Sequence, residues 1–221
     1  MKTNFESIKH DKEISTYIEM ADDCLGALGF TEHAKPHVQR CVQLSENLLT
    51  QLGYDEHTIE LAKIAAYLHD IGNVVNRVAH AQSGAIMAFS LLRDRGMPAE
   101  DIARIVTAIG NHDEGTAQPV SEISAALILA DKSDVRRSRV RQNSKHNFDI
   151  HDRVNYAVTE SKLRLSDDKK SVLLSLKLDT DITDVMSYFE IFLNRMNLCK
   201  RAAAYLKLRF ELEINGVKLV Q

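Results

Sequence analysis

The sequence predicts a mainly α protein, an all-α core followed by a small α+β module. Three observations carry that expectation. Apolar residues recur at helical spacing from about residue 11 to about residue 140. Beyond about residue 150 the period shortens to two, as in Val172, Leu174, Leu176 and Leu178. Between them lies a basic stretch of poor periodicity, Arg137 to Asp152, which serves as the join. The expected domains are residues 1–147, helical, and residues 148–221, of order ββαβ.

The elements follow in order. Ile14, Ile18, Ala21, Leu25 and Leu28 mark a first helix, stopped by Gly29. Thr31 is the expected cap of the next, with Pro36 near its start and Gly53 at its end. Asp55 caps a third, which carries Ile59, Ala62, Ala66 and His69 on one face and stops at Gly72. A fourth runs from His80 to just before Gly96. Pro98 opens a fifth, with Ile102, Ile105, Ile109 and His112 on one stripe. Gly115 to Pro119 reads as a loop, and Ser121 caps a helix running through Asp131. In the tail, strands are expected at Tyr156 to Leu165, at Val172 to Leu178 and at Phe210 to Ile214 before an Asn215–Gly216 turn. A helix with Met186, Phe189, Leu193 and Met196 inward separates the last two.

Composition narrows the function classes. Apolar residues make up 44% of 221, so a core can form and wholesale disorder is excluded. A net charge of −3 gives no global grip on nucleic acid, which is not an expected partner. Cys24, Cys41 and Cys199 form no CxxC pair and read as buried, reduced thiols. The apolar stretch from Ile123 to Ala130 is too short to span a bilayer. The first residues include Glu6, Asp11 and Glu13 and no apolar run, so no signal peptide is expected. The expectation is a cytoplasmic protein without membrane contacts. Apolar faces on the tail strands allow a homodimer.

The chemistry concentrates in His37, His69, Asp70, His80, His112 and Asp131. Each falls near a helix end or on a buried stripe beside apolar neighbours. Buried imidazoles and carboxylates need partners, and a divalent cation would serve all of them together. A nitrogen and oxygen donor set without thiolate suits Fe, Mn, Co, Ni or Zn, as one ion or two. Two ions sharing Asp70 would activate water and stabilise a phosphoryl oxyanion.

The ordered set His37, His69-Asp70 and Asp131 resembles that of the HD-domain metal-dependent phosphohydrolases. The run Leu68-His69-Asp70-Ile71-Gly72 is similar to the family signature, with Asn73 where many members have lysine. His80 and His112 resemble the binuclear subset. The segments from His80 to Ala85 and from Ala130 to Arg137 are similar to those of bacterial HD-type enzymes that cut diadenosine tetraphosphate symmetrically. The resemblance implies His37, His69, Asp70 and Asp131 on a first ion and Asp70, His80 and His112 on a second. It also implies a hydrolase of phosphate esters or anhydrides in a small, nucleotide-like substrate. Gly115-Thr116-Ala117-Gln118-Pro119 replaces the Gly-Tyr-Pro element of the cyclic-di-GMP hydrolases and sets that subset aside.

Around this set, Asp70, His112, Asp113 and Lys132 are the expected catalytic residues. Arg77, Arg137 and His33 are the expected substrate contacts. Arg137 is expected to hold a substrate phosphate and Arg139 to lie on a solvated face. His10, His57, His146 and His151 read as surface residues. Two rivals share the ligand set: a di-iron oxygenase on the same scaffold, and a metal-stabilised module that binds nucleic acid or protein without catalysis.

Overall fold

The computed structural model describes residues 3–141 and 150–220. The expected domain boundary and His146 lie outside the described residues, as does the side chain of His151. Two helices open the chain: α1 (Phe5–Lys9) and α2 (Lys12–Ala27). The bundle continues with α3 (Lys35–Leu52), α4 (Glu56–Leu68), α5 (His80–Asp94), α6 (Ala99–Gly110) and α7 (Glu122–Lys132). Short 3₁₀ turns cover Ile71–Val74 and Arg137–Arg139. The tail holds α8 (Ile150–Ala157), β1 (Val158–Leu165), β2 (Ser171–Leu178), α9 (Val185–Tyr205), β3 (Arg209–Ile214) and β4 (Val217–Val220). Among the described residues no helix is long and apolar enough to cross a membrane.

Capping chemistry sets several boundaries. Asp55 accepts from the Thr58 amide at the start of α4, and Ser121 forms a capping box with Ser124 at the start of α7. Thr31 does not cap α3. That helix begins after Ala34 without a side-chain cap, with Pro36 in its first turn. The third expected helix also ends earlier than Gly72: α4 stops at Leu68, and His69 is its C-cap.

Every residue of α7 from Ile123 to Lys132 is buried. It is the central helix, packed on α3, α4, α6 and also on α9 of the tail. The buried apolar residues of bundle and tail form one cluster. The tail sheet has the order β1-β2-β3-β4; β1 and β2 are antiparallel, β2 and β3 parallel, β3 and β4 antiparallel. The parallel pair is joined through α9, as a crossover requires. A fourth strand therefore extends the expected ββαβ order. Asn215 and Gly216, at φ 51 and 81, make the two-residue turn into it.

The buried face of α9 differs from expectation. Met186 and Leu193 are exposed, and Tyr188, Phe192, Met196, Cys199 and Ala203 face inward. The periodicity was compatible with both stripes, and the aromatic one buries more area.

Gly72 lies in the 3₁₀ turn where the chain passes against the start of α5. A Cβ there would sit 2.1 Å from the His80 carbonyl oxygen and 2.4 Å from the Gly84 nitrogen. Both are backbone atoms, so relief requires moving a helix. Gly72→Ala is expected to destabilise by about 1–3 kcal/mol. At this length that is a fall of several degrees in Tm, with His80 displaced; thermal unfolding checks it, and an unchanged Tm would contradict the packing described.

Candidate metal centre

His37 sits in the first turn of α3, His69 caps the C-terminus of α4, and Asp70 follows it. His80 opens α5, His112 follows α6, and Asp131 lies in the last turn of α7. Helix ends from across the sequence thus converge on one point. All of these side chains are buried, His69 and His112 completely.

The orientation of the rings is the informative feature. His69 Nδ1 lies 2.8 Å from the Ala66 carbonyl, His80 Nδ1 3.0 Å from that of Arg77, and His112 Nδ1 2.6 Å from that of Ile109. A carbonyl only accepts, so each Nδ1 carries the proton and each Nε2 presents a lone pair. His37 Nδ1 lies 2.8 Å from Asp134 Oδ2, which holds the same tautomer. The Nε2 atoms point inward: those of His80 and His112 are 3.3 Å apart.

Asp70 lies among all four rings. Its Oδ2 is 3.7 Å from His37 Nε2 and 3.2 Å from His69 Nε2. Its Oδ1 is 3.4 Å from His80 Nε2 and 3.8 Å from His112 Nε2. Asp131 Oδ1 lies 3.4 Å from His37 Nε2, and its Oδ2 is 2.6 Å from Lys132 Nζ. Close as they are, His69 Nε2 and Asp70 Oδ2 are misaligned for a hydrogen bond, and both are buried without any other partner. Orphaned buried polar atoms are expensive. Donor atoms of His37, Cys41, His69 and Asp131, and of His69, Asp70 and His112, lie within 4.8 Å of one another. Lone pairs, carboxylates and spacing fit divalent transition metals.

The electrostatics are those of a pocket that draws in cations: burial opposes charge on His69, but Asp70 and Asp131 outweigh it and raise its pKa, so a proton and a metal ion compete for its Nε2. Burial pushes the Asp70 carboxyl up, but His69, His112 and His33 outweigh it and hold it well below the usual range. Burial also opposes charge on Asp131, where Lys132 and His37 prevail, so it too is ionised. Burial pulls the His80 ring down to about 4, partly offset by Asp70, so it is neutral near pH 7 as a ligand must be. Cys41, one turn after His37, has its thiol pushed well above the ordinary value by burial and by Asp131 and Asp134, and is neutral as it stands.

Beside the centre opens a cleft of about 290 Å³, lined by Asp70, His80 and Asp131 at its base. Of the expected contacts, His33, Arg77, Asp113 and Lys132 line it. Arg137 does not. Its Nε donates to the Tyr156 carbonyl at 2.6 Å and its Nη2 to Asp179 at 3.0 Å, which fixes the tail. Arg139, expected on a solvated face, is buried in the cleft wall, donating from Nε to the Glu32 carbonyl and from Nη1 to that of Asp134. The expectations for these two therefore exchange. Arg137→Ala should leave turnover near that of the wild type. Arg139→Ala should destabilise by about 2–4 kcal/mol, because it orphans two carbonyls and opens a cavity. Thermal melts and activity of both variants check this; a silent Arg139→Ala would contradict it. His10 is exposed, and His57 pairs with Asp101 at 2.7 Å, away from the cleft.

Sequence reasoning missed Asp134, the cleft role of Arg139, and Arg195 of α9, which also lines the cleft. Asp134 had a signal, lying one helical turn after Asp131. Arg195 had none, because only tertiary packing brings α9 to the site.

The comparisons with known proteins follow the same lines. Over 191 residues the chain is 24% identical to the uncharacterized protein MJ1020 of Methanocaldococcus jannaschii, covering 76% of this chain and 73% of that protein. It is 30% identical over 124 residues to ribonuclease Y of Cutibacterium acnes, covering 54% of this chain but only 21% of that protein. The HD domain family model matches residues 36–154, which is more than half of the chain and includes all six candidate ligands. The chain belongs to the HD domain family, which is in general one of metal-dependent hydrolases.

Proposed function

We propose that the protein is a metal-dependent phosphohydrolase acting on a phosphate ester or anhydride of a small, nucleotide-like substrate. One observation carries the reading: inward Nε2 lone pairs around a buried, ionised Asp70, with His69 Nε2 and Asp70 Oδ2 lacking partners. His37, His69, Asp70 and Asp131 would hold one divalent ion, and Asp70, His80 and His112 a second. Ions bound there supply Lewis acidity and lower the pKa of water.

The chain's own residues do the rest. The Nδ1 contacts hold the rings in register, so little reorganisation accompanies reaction. Burial pushes the Lys132 ammonium down, but Asp131 and Glu114 outweigh it and keep it charged. It occupies Asp131 Oδ2 and offers positive charge to a phosphoryl oxygen at the cleft floor. Asp113, whose Oδ1 lies 3.9 Å from His80 Nε2, is positioned to orient water or to protonate a leaving oxygen. Arg77 also lines the cleft, with its guanidinium carbon 5.6 Å from the centre of the Phe30 ring.

The similarity to part of ribonuclease Y gives a second reading, an RNA phosphodiester as substrate. It uses the same centre and differs only in what fills the cleft. The test is a screen of nucleotides, dinucleoside polyphosphates (diadenosine tetraphosphate included) and short RNA. The protein would be loaded separately with Mn, Fe, Co and Mg. Metal-dependent release of phosphate or a nucleotide is the expected result. Oxygen uptake by ferrous protein without phosphate release would favour an oxygenase. Salt-dependent RNA binding without turnover would favour a binding module.

A further inference from the structure

We propose that Arg195, supplied by the C-terminal module, binds a second phosphate of the substrate. The substrate class is then a phosphoanhydride, such as a nucleoside di- or polyphosphate, and not a simple monoester. This rests on the phosphohydrolase reading of the same site.

Arg195 projects from α9 into the cleft whose floor is Asp70 and Asp131. Two contacts fix its plane. Its Nε donates to Glu114 Oε1 at 2.7 Å, and its guanidinium carbon lies 4.4 Å from the centre of the Phe192 ring. The first uses one of five N–H donors. Among the described residues no protein acceptor takes the Nη donors. Of the other arginines near the site, Arg139 and Arg137 are taken up by carbonyls and a carboxylate, and Arg77 keeps its Nη1 on the candidate ligand group. Arg139 donates from both sides of its fork to the Glu32 and Asp134 carbonyls. Arg77 reaches Asn73 and His80 at 3.4 Å. Arg137 is bound to Tyr156 and Asp179 outside the cleft. Arg195 therefore presents a pre-oriented planar fork with its outer edge open, the shape that grips two oxygens of one phosphate.

Its place identifies which phosphate. Lys132 Nζ is 2.6 Å from Asp131 Oδ2, whereas Arg195 has its contact with Glu114, whose charge acts on both cations. A phosphoryl group at the centre meets Lys132 first. Arg195 meets the group attached to it. A polyphosphate also brings more negative charge than two divalent ions neutralise, which a further fixed cation offsets.

The test measures binding to the full chain loaded with manganese and freed of excess metal. The probes are methylenediphosphonate, a non-hydrolysable diphosphate, and methylphosphonate. Arg195→Ala should weaken the diphosphonate roughly ten- to a hundredfold, with methylphosphonate affinity and manganese content unchanged. Arg195→Lys should recover part of the loss, since lysine lacks the fork. Glu114→Gln keeps an oxygen for Nε and should retain most of the diphosphonate preference. Equal diphosphonate affinity in wild type and Arg195→Ala would overturn the proposal. So would an equal loss of both probes, which marks Arg195 as a structural pin. Binding that depends on Arg195 supports the proposal even if no nucleotide is hydrolysed; in that case it is the hydrolase reading that fails.

Discussion

Asp70→Ala should release most of the bound metal and lower turnover by about a thousandfold or more. Its two oxygens divide the site: Oδ2 faces His37 and His69, and Oδ1 faces His80 and His112. Removing the carboxylate takes a donor from both groups at once and removes the negative charge that offsets the ions. His112→Ala should be milder in metal content, losing about one ion and retaining the other, because the His37, His69 and Asp131 side is untouched. Elemental analysis alongside turnover checks both variants. An Asp70→Ala protein with full metal content would contradict the bridging role.

Asp134→Ala should be the most damaging change among residues outside the ligand set. Asp134 is fully buried. Its Oδ2 holds His37 Nδ1 at 2.8 Å and accepts from Arg136 Nη2 at 3.0 Å. Arg40 Nε stands 3.0 Å from Oδ1, an ion-pair contact too poorly aligned to be a hydrogen bond. Burial opposes its ionisation, but His37, Arg139 and Arg136 prevail and hold it far below the ordinary range. Removing it leaves cations facing a cavity, which costs about 3–5 kcal/mol for a broken buried pair. It also frees His37 to rotate or change tautomer, for which a loss in metal affinity of roughly ten- to a hundredfold is expected. Asp134→Asn keeps an acceptor oxygen of the same shape and should lie between wild type and alanine in both respects. Metal titration of the folded variant separates the two effects. Unchanged affinity would show that His37 needs no support from this carboxylate.

What was legible in the sequence was local or ordered. Asp55 and Ser121 announce helix starts because their side chains bond the next turn's amides. The six candidate ligands were visible as a set because each ends a helix or sits on an apolar stripe. Thr31 misled because cap propensity is silent about whether the chain turns there, and α3 starts with no side-chain cap at all. The stripe on α9 misled because two faces of that helix are apolar, and only packing against α7 and the sheet decides between them. The basic run after Asp131 could be counted but not oriented. Its direction depends on the carbonyls of Glu32, Asp134 and Tyr156, and two of those are far away in sequence. Arg195 reaches the cleft through the same long-range packing.

With two ions bound, Asp70 would stand between them. Anomalous diffraction at the manganese edge, from crystals of manganese-loaded protein, tests it most directly. Two anomalous peaks are expected flanking the Asp70 carboxylate, one among His37, His69 and Asp131 and the other against His80 and His112. Fully loaded crystals with a single anomalous peak, or with none beside Asp70, would contradict that arrangement.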